Sequence, residues 1–301
     1  MLRINEPLRI GHTNEWLPVS SSVYVERLTR GQEPEILAFL GERPIHTVAM
    51  ASLIRDNGLD SRLNRGTFYA CRDMNSRIEG VALIGHATLL ETASHRALES
   101  LARLVQGCPD TFMLMGEEDR IEELWQLCSS DRQRLRVASR EALLELHWPI
   151  AVGNPVANLR LARPGEIETV MPIQARMAFD ESGVDPFQTD PDGFRERCAR
   201  RIRQGRTWLC MDDDALIFKA ELISYTPEVI YLEGVWQAED RRGSGIATDC
   251  LLALSRKLLT HAQSICVLVN EKNTKAISFY RNCGYLFRAT YATIFLTKHV
   301  Q

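Results

Sequence analysis

Ile230-Tyr-Leu-Glu-Gly-Val-Trp236 runs into Gln237-Ala-Glu-Asp-Arg241 and then into Arg242-Gly-Ser-Gly-Ile-Ala247. The first segment has the apolar and aromatic content of a strand, and the second is a turn. The third opens a helix whose apolar residues Ala247, Leu251, Leu254 and Leu258 recur on one face. A second strand, Ser264-Ile-Cys-Val-Leu-Val269, precedes Asn273-Thr-Lys-Ala-Ile-Ser-Phe-Tyr280, and Cys283-Gly284-Tyr285 stops that helix.

A strand that feeds a glycine-bearing loop and then a helix start has a defined chemistry. The first N–H groups of a helix lack internal partners, and the macrodipole makes that end positive. Such an end suits phosphate. Gly243 and Gly245 carry no Cβ, so a pyrophosphate can approach the backbone, and Arg242 adds a fixed positive charge. Small residues here are equally compatible with a tight turn that binds nothing. A dinucleotide site is a third reading of Gly243-Ser-Gly-Ile-Ala-Thr248. It calls for an acidic residue about 20 residues on, and Leu258-Leu-Thr-His-Ala-Gln-Ser264 has none.

Arg242-x-x-Gly245-x-Ala247 resembles the pyrophosphate loop of the GCN5-related N-acetyltransferases, the GNAT superfamily, whose pattern is Q/R-x-x-G-x-G/A. Asn273, Ala276-Ile277, Tyr280 and Gly284-Tyr285 are similar to that family's next block, with Val267-Leu-Val269 standing as its fifth strand. The departures are Ala247 for the last glycine and Tyr285 for phenylalanine. The resemblance implies an acyl-CoA cosubstrate, acetyl-CoA or another, with its pyrophosphate on Arg242, Gly243, Ser244, Gly245, Ile246 and Ala247. It implies that the pantetheine arm lies along Val235, Trp236 and Gln237. Asn273 is expected to contact the cosubstrate or cap its helix.

The 301 residues are enough for about two domains. With 45% hydrophobic and 25% charged residues the composition is that of a soluble globular chain. A net charge of −3 offers no basic field for nucleic acid or an anionic membrane. No apolar run reaches a membrane span, and Met1-Leu-Arg-Ile-Asn-Glu-Pro7 lacks a signal-peptide core, so a cytoplasmic protein is expected. The eight cysteines are scattered without C-x-x-C and read as small buried hydrophobes; the seven histidines show no metal-ligand spacing, so no metal site is expected.

In chain order, residues 1–22 are polar and aperiodic, an N-terminal extension. From Tyr24 to Trp148 the pattern reads βααβββαβα with one or two further strands. Pro149-Ile-Ala-Val-Gly-Asn-Pro155 has connector composition. From Asn158 the order βααβββαβα recurs, with one or two closing strands after Tyr285. In this second half a helix is expected from Pro164 to about Phe179, followed by an acidic loop from Asp180 to Phe187. Two α/β domains of one plan in tandem are expected, each a mixed, mostly antiparallel sheet flanked by helices. By resemblance, residues 23–150 are a degenerate GNAT-like domain and 157–301 the catalytic acetyltransferase domain. Leu90-Glu-Thr-Ala-Ser-His-Arg96, at the first half's equivalent of the phosphate loop, has no glycine, carries a repelling Glu91, and offers Ser94 to cap its own helix. The first half is therefore expected to bind no CoA.

Acyl transfer from a thioester to an amine needs a held carbonyl, a base for the amine and an acid for the thiolate. Tyr280 stands at the family's position for the acid, and a phenol stays protonated at neutral pH; a core tyrosine fits the same spacing. Glu233, with Tyr231 and Val235 expected on its side of the strand, is the candidate base; a solvated or arginine-paired carboxylate is the other reading. Asp180, Glu181 and Asp185 have the charge to select a cationic amine, or to be solvated. The expected activity is N-acetyl transfer to a primary amine on a small molecule or peptide. A non-catalytic acyl-CoA-binding regulator or scaffold of the same fold is the alternative.

Overall fold

The computed structural model describes residues 23–129, 134–149 and 153–297. The expected extension, residues 1–22, and residues 150–152 of the expected connector lie outside the described residues.

The first half runs β1 (Tyr24–Arg27), α1 (Glu33–Leu40), α2 (Pro44–Asn57), β2 (Gly66–Arg72), β3 (Ile78–Gly85), β4 (Ala87–Thr92), α3 (His95–Gln106), β5 (Met113–Glu117), α4 (Glu118–Cys128) and β6 (Arg134–Leu146). The second runs β7 (Leu159–Leu161), α5 (Ile167–Ser182), α6 (Pro186–Thr189), α7 (Pro191–Arg203), β8 (Thr207–Asp212), β9 (Ala215–Tyr225), β10 (Val229–Gln237), α8 (Ile246–Leu258), β11 (Ser264–Asn270), α9 (Thr274–Asn282) and β12 (Leu286–Thr297). Local chemistry sets several boundaries. Pro44 sits in the first turn of α2, and the N–H of Gly58, at φ +76°, closes its end on the Ile54 carbonyl. Ser94 caps α3 by accepting from the Ala97 N–H.

Two expectations in the second half change. The helix does not start at Pro164: Pro164–Glu166 is a short 3-10 turn, where the Glu166 carboxylate accepts from the Arg163 N–H, and α5 follows. The acidic segment is not one loop either. Asp180 and Glu181 ride the last turn of α5, which ends at Gly183 with φ +67°. Asp185 caps α6 through the Phe187 N–H.

The described strands form one twelve-stranded sheet in the order β1-β2-β3-β4-β5-β12-β6-β11-β10-β9-β8-β7. Read from either edge, the order repeats the same plan, and at the centre the last strands are exchanged. β6, from the first half, lies against β11 of the second, and β12 lies against β5 of the first. The two exchanged strands pair antiparallel from Leu286↔Glu145 to Thr297↔Arg134. The sheet thus runs unbroken across the expected boundary near residue 150.

Alternation along these strands sends side chains to two faces. Ala142, Leu144 and Leu146 pack with α8 and α9, and Ala292, Ile294 and Leu296 pack with α3 and α4. The opposite face carries α1, α2, α5 and α7. There Val48 of α2 packs with Leu143, Val229, Tyr231, Cys266 and Tyr291, so a first-half helix covers second-half strands. The Ser52 hydroxyl accepts from the Tyr225 N–H at 3.0 Å, and Arg206 pairs with Asp56 at 2.7 Å. The cysteines are free, and all but half-buried Cys108 are buried.

Candidate active site

β10 and β11 are parallel and pair at Val229↔Ser264, Ile230↔Ile265 and Tyr231↔Cys266, and no further. Both strands continue, to Gln237 and Asn270. They diverge into a wedge in which the edge of β10 past Tyr231 has no strand beside it. Parallel strands are joined by a crossover helix, here α8, and the strand-to-helix loop closes the wedge.

β9 stays on the other side of β10 as far as Gln237↔Phe218, with a register shift between Glu233 and Trp236. Gly234, at φ +60°, makes the bulge. A Cβ there would lie 3.0 Å from the Lys219 Nζ and 3.3 Å from the Gln174 Oε1. The bulge corrects one expectation. Val235 packs towards the α8 face, whereas Tyr231 lies in the cluster on the opposite face. The inserted residue breaks the alternation, so Glu233 keeps Tyr231 and loses Val235.

Glu233 lies on the α5 and α7 side of the sheet, half-buried, opposite Glu221 of β9. Burial pushes its carboxyl above the ordinary range. Arg201 opposes that shift, Glu221 adds to it, and the Tyr231 hydroxyl bond and Lys219 oppose it. Behind it, Lys219 is fully buried, with its Nζ 2.8 Å from the Gln174 Oε1, 3.3 Å from the Gly234 carbonyl and 3.4 Å from the Glu221 Oε1. Arg201 of α7 also pairs with Glu221. Burial works against the Glu221 charge, but Arg201 and Lys219 hold the carboxyl below its ordinary range.

Tyr280 approaches from the other face. It packs in the cluster with Leu232 and Val267, 5.3 Å from the Tyr285 ring. It is 9% exposed, and its hydroxyl makes no hydrogen bond among the described residues. Burial pushes the phenol well above its ordinary value, with Cys283 and then Glu233 adding to the shift. The wedge therefore has a carboxylate on one face and a protonated phenol on the other.

At the loop, Gly243 and Gly245 have φ +78° and +84°, and a Cβ on either would meet nothing within 4 Å. Open space beyond two positive-φ glycines at the start of α8 suits a pyrophosphate. Gln237 Nε2 donates to the Arg241 carbonyl at 2.7 Å, and the Ser244 hydroxyl to the same carbonyl at 2.6 Å, fixing the turn. The Ile246 N–H reaches the Ser244 Oγ at 3.4 Å. Arg242 is solvent-facing, 3.7 Å from Glu239. Ala247 is half-buried against the core, Trp236 pairs with Lys219 on β9, and Asn273 caps α9 through the Ala276 N–H at 3.1 Å.

Three features escape sequence reading. Lys219 and Glu221 alternate inside the otherwise apolar strand Leu216–Ile223, a signal of inward charge that was there to be found. Glu141 of β6 gave none. It is 8% exposed and bonded by Thr293 at 2.8 Å and Ser139 at 3.4 Å. Burial and then Glu233 raise its carboxyl, against those hydroxyl bonds. It faces Asn270 at the open end of β11, so the exchanged strand carries a first-half carboxylate to the second-half wedge.

The first half has the equivalent wedge. β4 and β5 pair only at Ala87↔Met113 and Thr88↔Leu114. Across it the Arg43 guanidinium bonds Glu91 at 2.9 Å and Glu117 at 2.8 Å. Glu91 is thus a buried, paired residue rather than a free negative charge at the loop. The remaining cavity, lined in part by His46, Glu91, Glu117 and Tyr291, holds about 30 Å³, room for about one water.

Residues 171–285 match the model described as the acetyltransferase (GNAT) family. This segment has the GNAT fold. The match is narrower than the 157–301 that the resemblance implies, and it spans the wedge, the glycine loop and α9. The GNAT fold extends further. A Drosophila protein is 11% identical with TM-score 0.65, over 91% of this chain and 98% of that one. A GNAT-family acetyltransferase from Colwellia psychrerythraea is 12% identical with TM-score 0.54, over 91% and 100%. A tandem GNAT protein from the clavulanic acid biosynthesis pathway is 14% identical with TM-score 0.54, over 90% and 98%. These likenesses establish the fold, including the first half. No curated protein matches the chain. Among the described residues no group of His, Cys, Asp and Glu is placed to hold a metal, and no helix is long and apolar enough to cross a membrane.

Proposed function

We propose that the second half transfers an acetyl or related acyl group from acyl-CoA to a primary amine by direct transfer, and that the first half carries no second site. The observation that carries this reading is the wedge between β10 and β11. It opens at one end on the positive-φ glycines of the α8 loop and is flanked by Glu233 and Tyr280 on opposite faces.

The cosubstrate supplies an activated acyl carbonyl on a thiol leaving group. The α8 loop, with the free N–H groups of a helix start and the Arg242 charge, holds its phosphates. The unpaired edge of β10 from Val235 to Gln237 offers backbone groups to the pantetheine arm and the carbonyl. Glu233, its carboxyl raised above the ordinary range by burial, takes the proton from the incoming ammonium. The amine nitrogen bonds the carbonyl carbon, the carbon–sulfur bond breaks, Tyr280 gives its phenol proton to the departing thiolate, and the second proton that the nitrogen sheds as it becomes an amide returns through solvent to the phenolate. Tyr280 is suited to that step because burial keeps the phenol protonated at neutral pH.

The test is initial-rate release of free thiol from acetyl-CoA over a panel of amines. Acceleration by an amine, abolished or strongly reduced in Glu233→Gln, is the expected result. Tight acetyl-CoA binding with no acceleration by any amine would contradict transfer and leave a non-catalytic acyl-CoA-binding protein.

A further inference from the structure

Three carboxylates gather on the acceptor side of the wedge from three separate elements. Glu233 stands on β10 past its last pairing with β11. Glu141 stands on β6 opposite Asn270, on the face that Leu143 shares with Tyr231. Glu181 rides the last turn of α5, and β6 is tied to that end of α5 by the Arg136 guanidinium, which donates to the Gly183 carbonyl. The three act on one another: Glu233 raises the Glu141 carboxyl, and burial, then Glu233 and Glu141, raise that of Glu181, whose outer surface still meets solvent.

The charges nearby do not balance them. Arg201 and Lys219 both pair with Glu221 and leave one net positive charge, which acts on Glu233 and on neither Glu141 nor Glu181. No ion pair among the described residues reaches Glu233, Glu141 or Glu181. Glu141, more than nine-tenths buried, is served by two hydroxyls and no cation. A carboxylate in that position is costly unless a positive charge arrives. A separate observation marks the same opening as a ligand site. Tyr280, nine-tenths buried as a residue, approaches from the other face, and its hydroxyl has no hydrogen-bond partner among the described residues while feeling the Glu233 charge.

We propose that the acceptor is a small amine with a second cationic group, a diamine or longer polyamine, its reacting nitrogen at Glu233 and its second ammonium between Glu141 and Glu181. This rests on the reading of the wedge as an acyl-transfer site. One carboxylate is consumed as the base, which leaves two to attract one further cation, in surroundings that screen charge less than water does. Neutral amines leave that pair uncompensated, and acceptors bearing a carboxylate add repulsion. The first half then does more than cover the second, because it supplies Glu141 to substrate choice.

The experiment compares 1,4-diaminobutane, n-butylamine and 4-aminobutyrate, which share a chain length and differ in the charge of the far end. Thiol release from acetyl-CoA is measured on the full chain, on Glu141→Gln and on solvent-facing Glu181→Gln, with thermal unfolding confirming that each is folded. The expected kcat/KM for the diamine exceeds that for butylamine at least tenfold, with 4-aminobutyrate the poorest, and the diamine-to-butylamine ratio falls several-fold in each variant. Equal use of diamine and butylamine, or a ratio untouched in both variants, overturns the proposal. Calorimetry of the same amines on CoA-saturated protein separates the two readings. Tighter diamine binding that both variants weaken, without thiol release, keeps the cation site and rejects acyl transfer; equal or absent binding of diamine and butylamine rejects the cation site.

Discussion

At Gly245 the backbone has φ +84° and faces open space. An L-residue there costs about 1–2 kcal/mol for the left-handed conformation alone, and a β-branched one also fills the space assigned to phosphate. Gly245→Val is therefore expected to abolish measurable acetyl-CoA binding, while Arg242→Ala, at an exposed side chain, weakens it less. Wild-type affinity in Gly245→Val would remove the phosphate assignment. Tyr280→Phe takes away one hydroxyl that bonds nothing among the described residues. The expected outcome is a kcat lower by roughly tenfold to a thousandfold with acetyl-CoA affinity nearly unchanged. If kcat holds while chemistry limits the rate, Tyr280 is a core residue. With Glu233 as the proposed base, its titration is expected to set the pH dependence. Its folded-state carboxyl is raised, chiefly by burial, while Arg201, Lys219 and Tyr231 restrain the shift and Glu221, Glu141 and Glu181 face it. A base must be ionised to act, so kcat/KM should rise with pH through a limb above the ordinary carboxylate range. That limb should vanish in the residual activity of Glu233→Gln; a limb unchanged in the variant assigns it to another group.

Among the elements, the exchange of β6 and β12 decides how the halves depend on each other. A fragment ending near residue 150 lacks β12, which covers β5; one beginning near 157 lacks β6, which covers β11 and carries Glu141. Each would expose a long hydrogen-bonding edge. Neither fragment is expected to fold alone, and co-expression should yield a one-to-one complex that unfolds in one transition. An isolated residue 157–301 fragment that is monomeric, cooperative and binds acetyl-CoA would contradict this. The elements themselves were legible. Glu33–Leu40 is a helix with the expected bounds, and Thr207–Met211 and Leu216–Ser224 pair as expected, because local period and turn residues carry that information. The partners of a strand are not local. Alternation in Arg134–Leu146 marks a strand but says nothing of whether its neighbour is β5 or β11, so the exchange, and Glu141 with it, stayed hidden. The bulge at Gly234 left one local mark, a glycine inside a strand, but the register shift against β9 that turns Val235 to the other face depends on the partner strand and stayed hidden.

For the whole molecule, two wedges on one plan have opposite fates. In the second half the wedge is open and leads to two positive-φ glycines. In the first, Arg43 ties Glu91 on β4 to Glu117 on β5, and Ser94 caps the helix that would face a phosphate. Arg43→Met leaves buried Glu91 without its cation. Because 42% of the Arg43 side chain meets solvent, the expected loss is about 1–3 kcal/mol, below that of a fully buried pair, read as a lower midpoint in urea. An unchanged midpoint would show that the tie contributes nothing. Titration calorimetry of acetyl-CoA against the full chain and Gly245→Val tests the central claim, one working acyl-CoA site in the second half, most directly. The account predicts a stoichiometry near one for the wild-type chain and no binding in the variant; a stoichiometry near two, or tight binding retained in Gly245→Val, would contradict it.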